Sequence, residues 1–237
     1  MRVTSQLESM LRRVSKPARY VGGELNSVVK NWDDARVRLA FAFPEVYEVG
    51  MSNLGLLTLY DLVNREPDLL FERTFTPWPD MQAELRAAGW PLFTLESGRP
   101  VRDFDLVGFS LPYEQVYTNV LSTLSVAGIP LLASERTDAD PIVLAGGSAC
   151  YNPEPMADFV DLFAIGEGED VLLELLHAYR ELKVGDRRVP RAEFLRRAAA
   201  IPGIYVPSFY EVAYHPNGAV AAVTPTVPEA AAFVAKR

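Results

Sequence analysis

Few side chains in this sequence have strong chemical reach. One cysteine, Cys150, and two histidines, His177 and His215, occur among 237 residues, so neither an internal disulfide nor an all-cysteine metal site can form. His177 falls within a long amphipathic stretch and His215 in the turn His-Pro-Asn-Gly, and neither belongs to a recognisable triad or zinc motif. There is no G-x-x-x-x-G-K-[ST] loop, no G-x-G-x-x-G after a strand and no G-x-S-x-G elbow. What the chain concentrates instead is glycine, serine and tyrosine, in four clusters that each follow an apolar run. The first lies between Pro44 and Gly55 and holds Tyr47, Gly50, Met51, Ser52 and Gly55. The second holds Ser110, Leu111 and Tyr113, the third Gly146, Gly147 and Ser148, and the fourth Gly166, Glu167, Gly168 and Glu169.

Small residues with a few hydroxyls let a backbone come close to a bound molecule. They form no catalytic set. Each cluster also has a plainer reading: Gly146-Gly147 as a tight turn, Tyr113 as packing, and Gly166–Glu169 as a helix start whose carboxylates suit the positive end of the helix dipole. Glu167 and Glu169 argue against a phosphate at that end. Cys150, one loop away, reads as inert packing rather than as a nucleophile.

These clusters are positioned by a repeating pattern of short apolar strand, turn and amphipathic helix. Strands are expected at Arg36–Phe43, Leu69–Phe75, Phe104–Ser110, Ile142–Ala145 and Leu162–Ile165, with weaker ones at Leu92–Leu95 and Pro130–Leu132. Helices are expected from Leu54 (with Leu54, Leu57, Tyr60, Leu62 and Val63 on one face), over Asp80–Ala88 with Asp80 as N-cap, over Tyr113–Val126, over Gly168–Leu182 and over Arg191–Ala200. Strands that are apolar throughout and alternate with helices imply βαβ units and a parallel sheet covered on both faces. The fold class is therefore α/β, a doubly wound, mostly parallel sheet of Rossmann-like or flavodoxin-like type. Ligands in such sheets bind beyond the carboxyl ends of the strands, where all four clusters lie.

Three regions follow. Residues 1–35 form a lead-in with a short helix from Gln6 to Val14, residues 36–185 the Rossmann-like domain, and residues 186–237 a helix, a hairpin and a linker. The hairpin is signalled by IYVPSFYEVAY and AVAAVTP around Asn217-Gly218. Hydrophobic residues make up 49% of the chain and charged ones 23%, which predicts a packed core. A net charge of −8 with a pI near 4.9 argues against nucleic acid as partner. No apolar run is long enough to span a bilayer and no signal peptide is recognisable, so a cytoplasmic location without membrane contact is expected.

The clusters, read together with Tyr20-Val-Gly-Gly-Glu24, Asn152-Pro-Glu-Pro155 and Ile201-Pro-Gly-Ile-Tyr-Val-Pro207, resemble the N-terminal region of an uncharacterised family of radical S-adenosylmethionine (SAM) proteins with a cobalamin-binding-like domain. The resemblance spans nearly the whole chain. It implies cobalamin as cofactor and a downstream barrel in the same chain, whose C-x-x-x-C-x-x-C motif holds a [4Fe–4S] cluster that cleaves SAM. With one cysteine, this sequence cannot ligate such a cluster, so it is expected to be the non-catalytic front half of an enzyme. The wider cobalamin-binding fold carries D-x-H-x-x-G, then S-x-L, then Gly-Gly. Here Gly50-Met-Ser-Asn-Leu-Gly55 stands in the first place, with Ser52 where the cobalt-ligating histidine would be, and Leu111-Pro112 departs from the second. A serine cannot replace an imidazole on cobalt. The resemblance thus implies a cobalt whose lower face is free or water-bound, above the Met51 and Tyr113 loops. The dimethylbenzimidazole tail would be held by packing against Gly146 and Gly147 and by a hydrogen bond from Ser110, so a side chain at 147 is expected to obstruct it. A substrate-recognition or interaction domain that has lost cobalamin, and a flavin- or nucleotide-binding domain, are the alternatives.

Overall fold

The computed structural model describes residues 5–237; residues 1–4 of the lead-in lie outside it. Six strands form one sheet in the order β2-β1-β3-β4-β5-β6. They are β1 (Val37–Phe43), β2 (Leu69–Phe75), β3 (Leu106–Ser110), β4 (Ile142–Gly146), β5 (Leu162–Ala164) and β6 (Ile204–Tyr205). The first five are parallel; β6 runs antiparallel against β5. An order of 2-1-3-4-5 is the flavodoxin-like doubly wound arrangement.

The helices are α1 (Ser5–Leu11), α2 (Tyr47–Gly50), α3 (Leu54–Arg65), α4 (Pro79–Ala88), α5 (Tyr117–Ala127), α6 (Gly168–Leu182) and α7 (Arg191–Ala199). Alternation along the strands decides which helix covers which face. Ala40, Ala42, Val107, Phe109, Val143 and Ala145 join a core with α1, α4 and α5. Leu39, Phe41, Leu106, Ile142, Leu144 and Leu162 join a second core with α3, α6 and α7. In α6 the buried residues Val171, Leu172, Leu175, Leu176, Ala178 and Tyr179 recur with helical period.

Four local expectations change. The buried stripe of α3 is Leu56, Tyr60 and Val63, whereas Leu54 is 77% exposed and Leu57 also faces water. Asp80 is not the N-cap of α4: Trp78 caps and Pro79 opens the helix, while the Asp80 carboxylate accepts from the Ser15 amide and hydroxyl and so pins the lead-in. Residues 130–132 make no strand, because the Arg136 guanidinium draws in the carbonyls of Pro130 and Leu131. Leu92–Leu95 forms only one bridge, Phe93 with Pro100, and the Leu95 amide is spent on the Arg73 carbonyl.

The tail also divides differently. Ile204–Tyr205 belongs to the main sheet, and Pro207 opens a turn that separates it from the hairpin of β7 (Tyr210–Tyr214) and β8 (Val220–Pro225).

Two aspartates just ahead of strands set the register at the amino end of the sheet. Asp105 accepts from the Arg38 amide at 2.9 Å and its own amide donates to the Arg38 carbonyl; Asp161 does the same with Val143, at 2.7 Å. Both carboxylates are buried and paired, Asp105 with Lys183 Nζ at 2.6 and 2.7 Å, and Asp161 with Arg136 and Arg191. Burial lowers the Lys183 pKa, and Asp105 partly offsets this. Removing one partner of such a pair strands the other charge. Lys183→Met is therefore expected to lower the unfolding free energy by about 3–5 kcal/mol. Arg12→Ala, which breaks only the exposed pair with Glu8, should cost under about 0.5 kcal/mol. Urea unfolding midpoints of the two variants check the contrast.

Candidate functional site

A cleft of about 260 Å³ lies between the sheet and helices α3 and α6, at the carboxyl ends of the strands. Its origin is a row of small residues. Ser110, Gly146 and Ala164 are direct cross-strand partners on β3, β4 and β5, and alternation turns all three toward α3 and α6. One step back, Gly108 has no side chain, and the Phe41 ring occupies the space a Cβ would need. Large residues below the row, such as Leu144, Val171, Leu172 and Leu175, hold the helices off, so the missing volume remains open above them.

The lining is largely apolar. Gly55, Leu56 and Leu59 come from α3, Gly166 to Glu169 from the start of α6, and Gly147, Ser148 and Tyr151 from the loop after β4. The hydroxyls of Ser110 and Ser148 make no hydrogen bond to protein among the described residues. The first turn of α6 has no side-chain cap, which leaves its amides free of an internal partner at the mouth. Glu167 and Glu169 stand at the same place, so the mouth favours neutral or donor groups over a free anion.

Of the residues expected to bind a cofactor, the structure brings Gly55, Ser110, Gly146, Gly147, Ser148, Gly166, Glu167 and Gly168 onto the cleft. The other six lie elsewhere. Tyr47 donates to Glu24 at 3.0 Å and packs edge-on against Phe75. Gly50 is buried where a Cβ would overlap the rings of Phe75 and Phe43, so it is a packing glycine. Met51 packs partly buried into the core beneath α3 and α6, and Ser52 is exposed with its hydroxyl on the Val49 carbonyl. Leu111 points into the opposite core, and Tyr113 reaches Glu45 at 3.4 Å on the surface.

The glycines that do line the cleft have different jobs. Gly147 adopts φ 116°, and a Cβ there would sit 2.6 Å from the Leu111 carbonyl oxygen, so its missing side chain serves the fold. Gly146 has ordinary backbone, and its Cβ would meet nothing closer than Ala164 at 3.8 Å. Gly146 is therefore the glycine whose absent side chain belongs to the cleft. Sequence reasoning missed Phe41, Ala164, Tyr151 and the helical wall. The available signal was the run of small residues at matching positions near the ends of three neighbouring strands.

Neither histidine approaches the rim by its partners: His177 faces Glu66 at 3.7 Å and His215 closes the hairpin turn. Among the described residues no three His, Cys, Asp or Glu side chains gather in a metal-binding group. Cys150 is buried, and burial pushes its thiol up to about 12.

Fold and cleft together define a flavodoxin-like α/β domain with a ligand-sized recess beside its sheet. Residues 55–207, well over half of the chain, match the family model described as the N-terminal part of radical SAM proteins, and the chain belongs to that family. Membership implies a radical SAM domain in the same protein. The match begins at Gly55, so Tyr47, Gly50, Met51 and Ser52 precede it. Comparison with curated proteins and with solved structures gave no significant match. Among the described residues no helix is long and apolar enough to cross a membrane.

Two outcomes are expected. Gly147→Ala should lose at least about 2 kcal/mol from backbone strain and overlap, whereas Gly146→Ala should stay within about 0.5 kcal/mol of the parent, as read by thermal unfolding. Cys150 should resist iodoacetamide at pH 8 in the folded protein and react fully in urea, as read by mass spectrometry.

Proposed function

We propose that this chain is the cofactor-holding module of a radical SAM enzyme, and that the cofactor is a corrinoid of the cobalamin type. The observation that carries the reading is the row Ser110–Gly146–Ala164, which keeps open an apolar recess furnished with two unpartnered hydroxyls. A planar aromatic group with a few hydrogen-bonding atoms suits such a recess. The cobalamin tail is one: its benzimidazole would pack between the β4 end and α6, near Leu144, Gly146 and Leu172, within reach of Ser110 and Ser148. When bound, the corrinoid supplies a cobalt that carries an alkyl group. The chain's own part is to hold the tail, exclude water from it and present the ring at the carboxyl rim. No imidazole serves as lower ligand, and the exposed Ser52, hydrogen-bonded to Val49, offers none. Ser110, Gly146 and Ser148 would hold a corrinoid through its tail, and the cofactor would have to work without an imidazole from these residues.

The same lack of a ligand favours a second reading, a substrate-recognition domain that keeps the recess without the metal. Purified protein incubated with hydroxocobalamin and passed through gel filtration separates the two. A retained corrinoid spectrum is the expected result. A colourless protein would favour the second reading, and a retained flavin spectrum from a parallel incubation would overturn both. Gly146→Leu adds a side chain at the recess whose Cβ meets only Ala164, at an ordinary contact distance of 3.8 Å. It should weaken corrinoid binding by roughly tenfold or more, equivalent to about 1.4 kcal/mol, while the unfolding midpoint barely moves.

A further inference from the structure

The expected linker at the end of the chain is seated against the Ile165–Glu167 turn, which borders the cleft. The Arg237 amide donates to the Ile165 carbonyl at 3.1 Å, and the Glu167 amide donates to the Arg237 carbonyl at 2.9 Å, so two main-chain bonds straddle Gly166. Gly166 has φ 127°, and a Cβ there would overlap the Arg237 carbonyl oxygen. Gly203, at φ 88°, faces the same residue, with its Cβ position 3.1 Å from Arg237 Cβ. Two glycines at positive φ thus leave room for Arg237. Side chains add to the seat. Lys236 Nζ lies 3.1 Å from Glu167 and 6.0 Å from the centroid of the Tyr151 ring, and Arg237 pairs with Glu174. Glu167 and Tyr151 both line the mouth of the cleft.

We propose that residues 235–237 form a strap that closes the mouth of the cleft, and that strap seating and ligand occupancy stabilise each other. The physical link is the Ile165–Gly168 turn. It is one wall of the cleft and the point where α6 begins, and the strap supplies a hydrogen-bond donor or acceptor to two of its peptide groups. A ligand that orders this turn makes the strap's bonds easier to form. By thermodynamic reciprocity the seated strap holds the ligand by the same factor. Lys236 has a direct part as well, because it offsets the Glu167 charge where the ligand enters. The coupling, as a coupling to a corrinoid, rests on the corrinoid reading above.

The test uses hydrogen–deuterium exchange of the Arg237 and Glu167 amides together with hydroxocobalamin binding. Lys236→Glu places like charges at the mouth. It should speed exchange of both amides and weaken hydroxocobalamin binding, each by about threefold, the scale of one partly exposed ion pair. The swap Lys236→Glu with Glu167→Lys should restore both. In the parent, saturating hydroxocobalamin should slow exchange at Arg237. Retained hydroxocobalamin with unchanged exchange at Arg237 overturns the coupling and leaves the cofactor reading standing. No retention at all overturns the cofactor reading and the coupling with it. Fast Arg237 exchange in the ligand-free parent, equal to that of Lys236→Glu, overturns the seated strap itself.

Discussion

The open volume beside the sheet exists only in one register, and that register is fixed at the far end of the strands. Asp105 and Asp161 each clamp the backbone of a neighbouring strand in both directions, and each is held in turn by a buried cation. A slip of one residue between β4 and β5 would break the Asp161–Val143 clamp and turn Phe163, in place of Ala164, toward α3 and α6. The amino end of the sheet thus carries the burden of specification. The carboxyl end, relieved of it, can be lined with residues as small as Gly146. Buried charge at one edge and missing volume at the other are two parts of one arrangement.

Much of the fold was legible because the pattern is strongly periodic. β2 and α6 have the bounds that the sequence suggests, and the parallel sheet follows from strands that are apolar on both faces. What failed had physical causes that no local pattern carries. The 130–132 segment has strand composition, but a guanidinium six residues on takes its carbonyls. Ile204–Tyr205 reads as one piece with the hairpin until the turn at Pro207 intervenes. On α3 the pattern placed Tyr60 and Val63 in the core correctly but passed over Leu56, because Leu54 and Leu57 look like core residues and yet face water.

The candidate site was half legible for a related reason. Glycines were visible in the sequence, but their purposes were not. Gly50 makes room for two phenylalanine rings, Gly147 for the Leu111 backbone and Gly166 for Arg237, whereas Gly146 leaves its space to the cleft. Composition reports that a side chain is missing. Which neighbour takes the vacated space is decided by residues dozens of positions away. The apolar walls from α3 and α6 were hidden for the opposite reason, since Leu59 and Leu172 look like any other helical core residue.

The antiparallel course of β6 has a geometric consequence. The chain enters β6 from Gly203, beside Ile165, travels out through the hairpin, and comes back to Ile165 at Arg237. That excursion is a tethered loop with both feet on one spot and the hairpin at its far reach. The entropy of closing such a loop grows only with the logarithm of its length, about 0.6 kcal/mol for a doubling. The tip at Asn217-Gly218 can therefore accept inserted residues, or a whole grafted peptide, with little penalty at the feet.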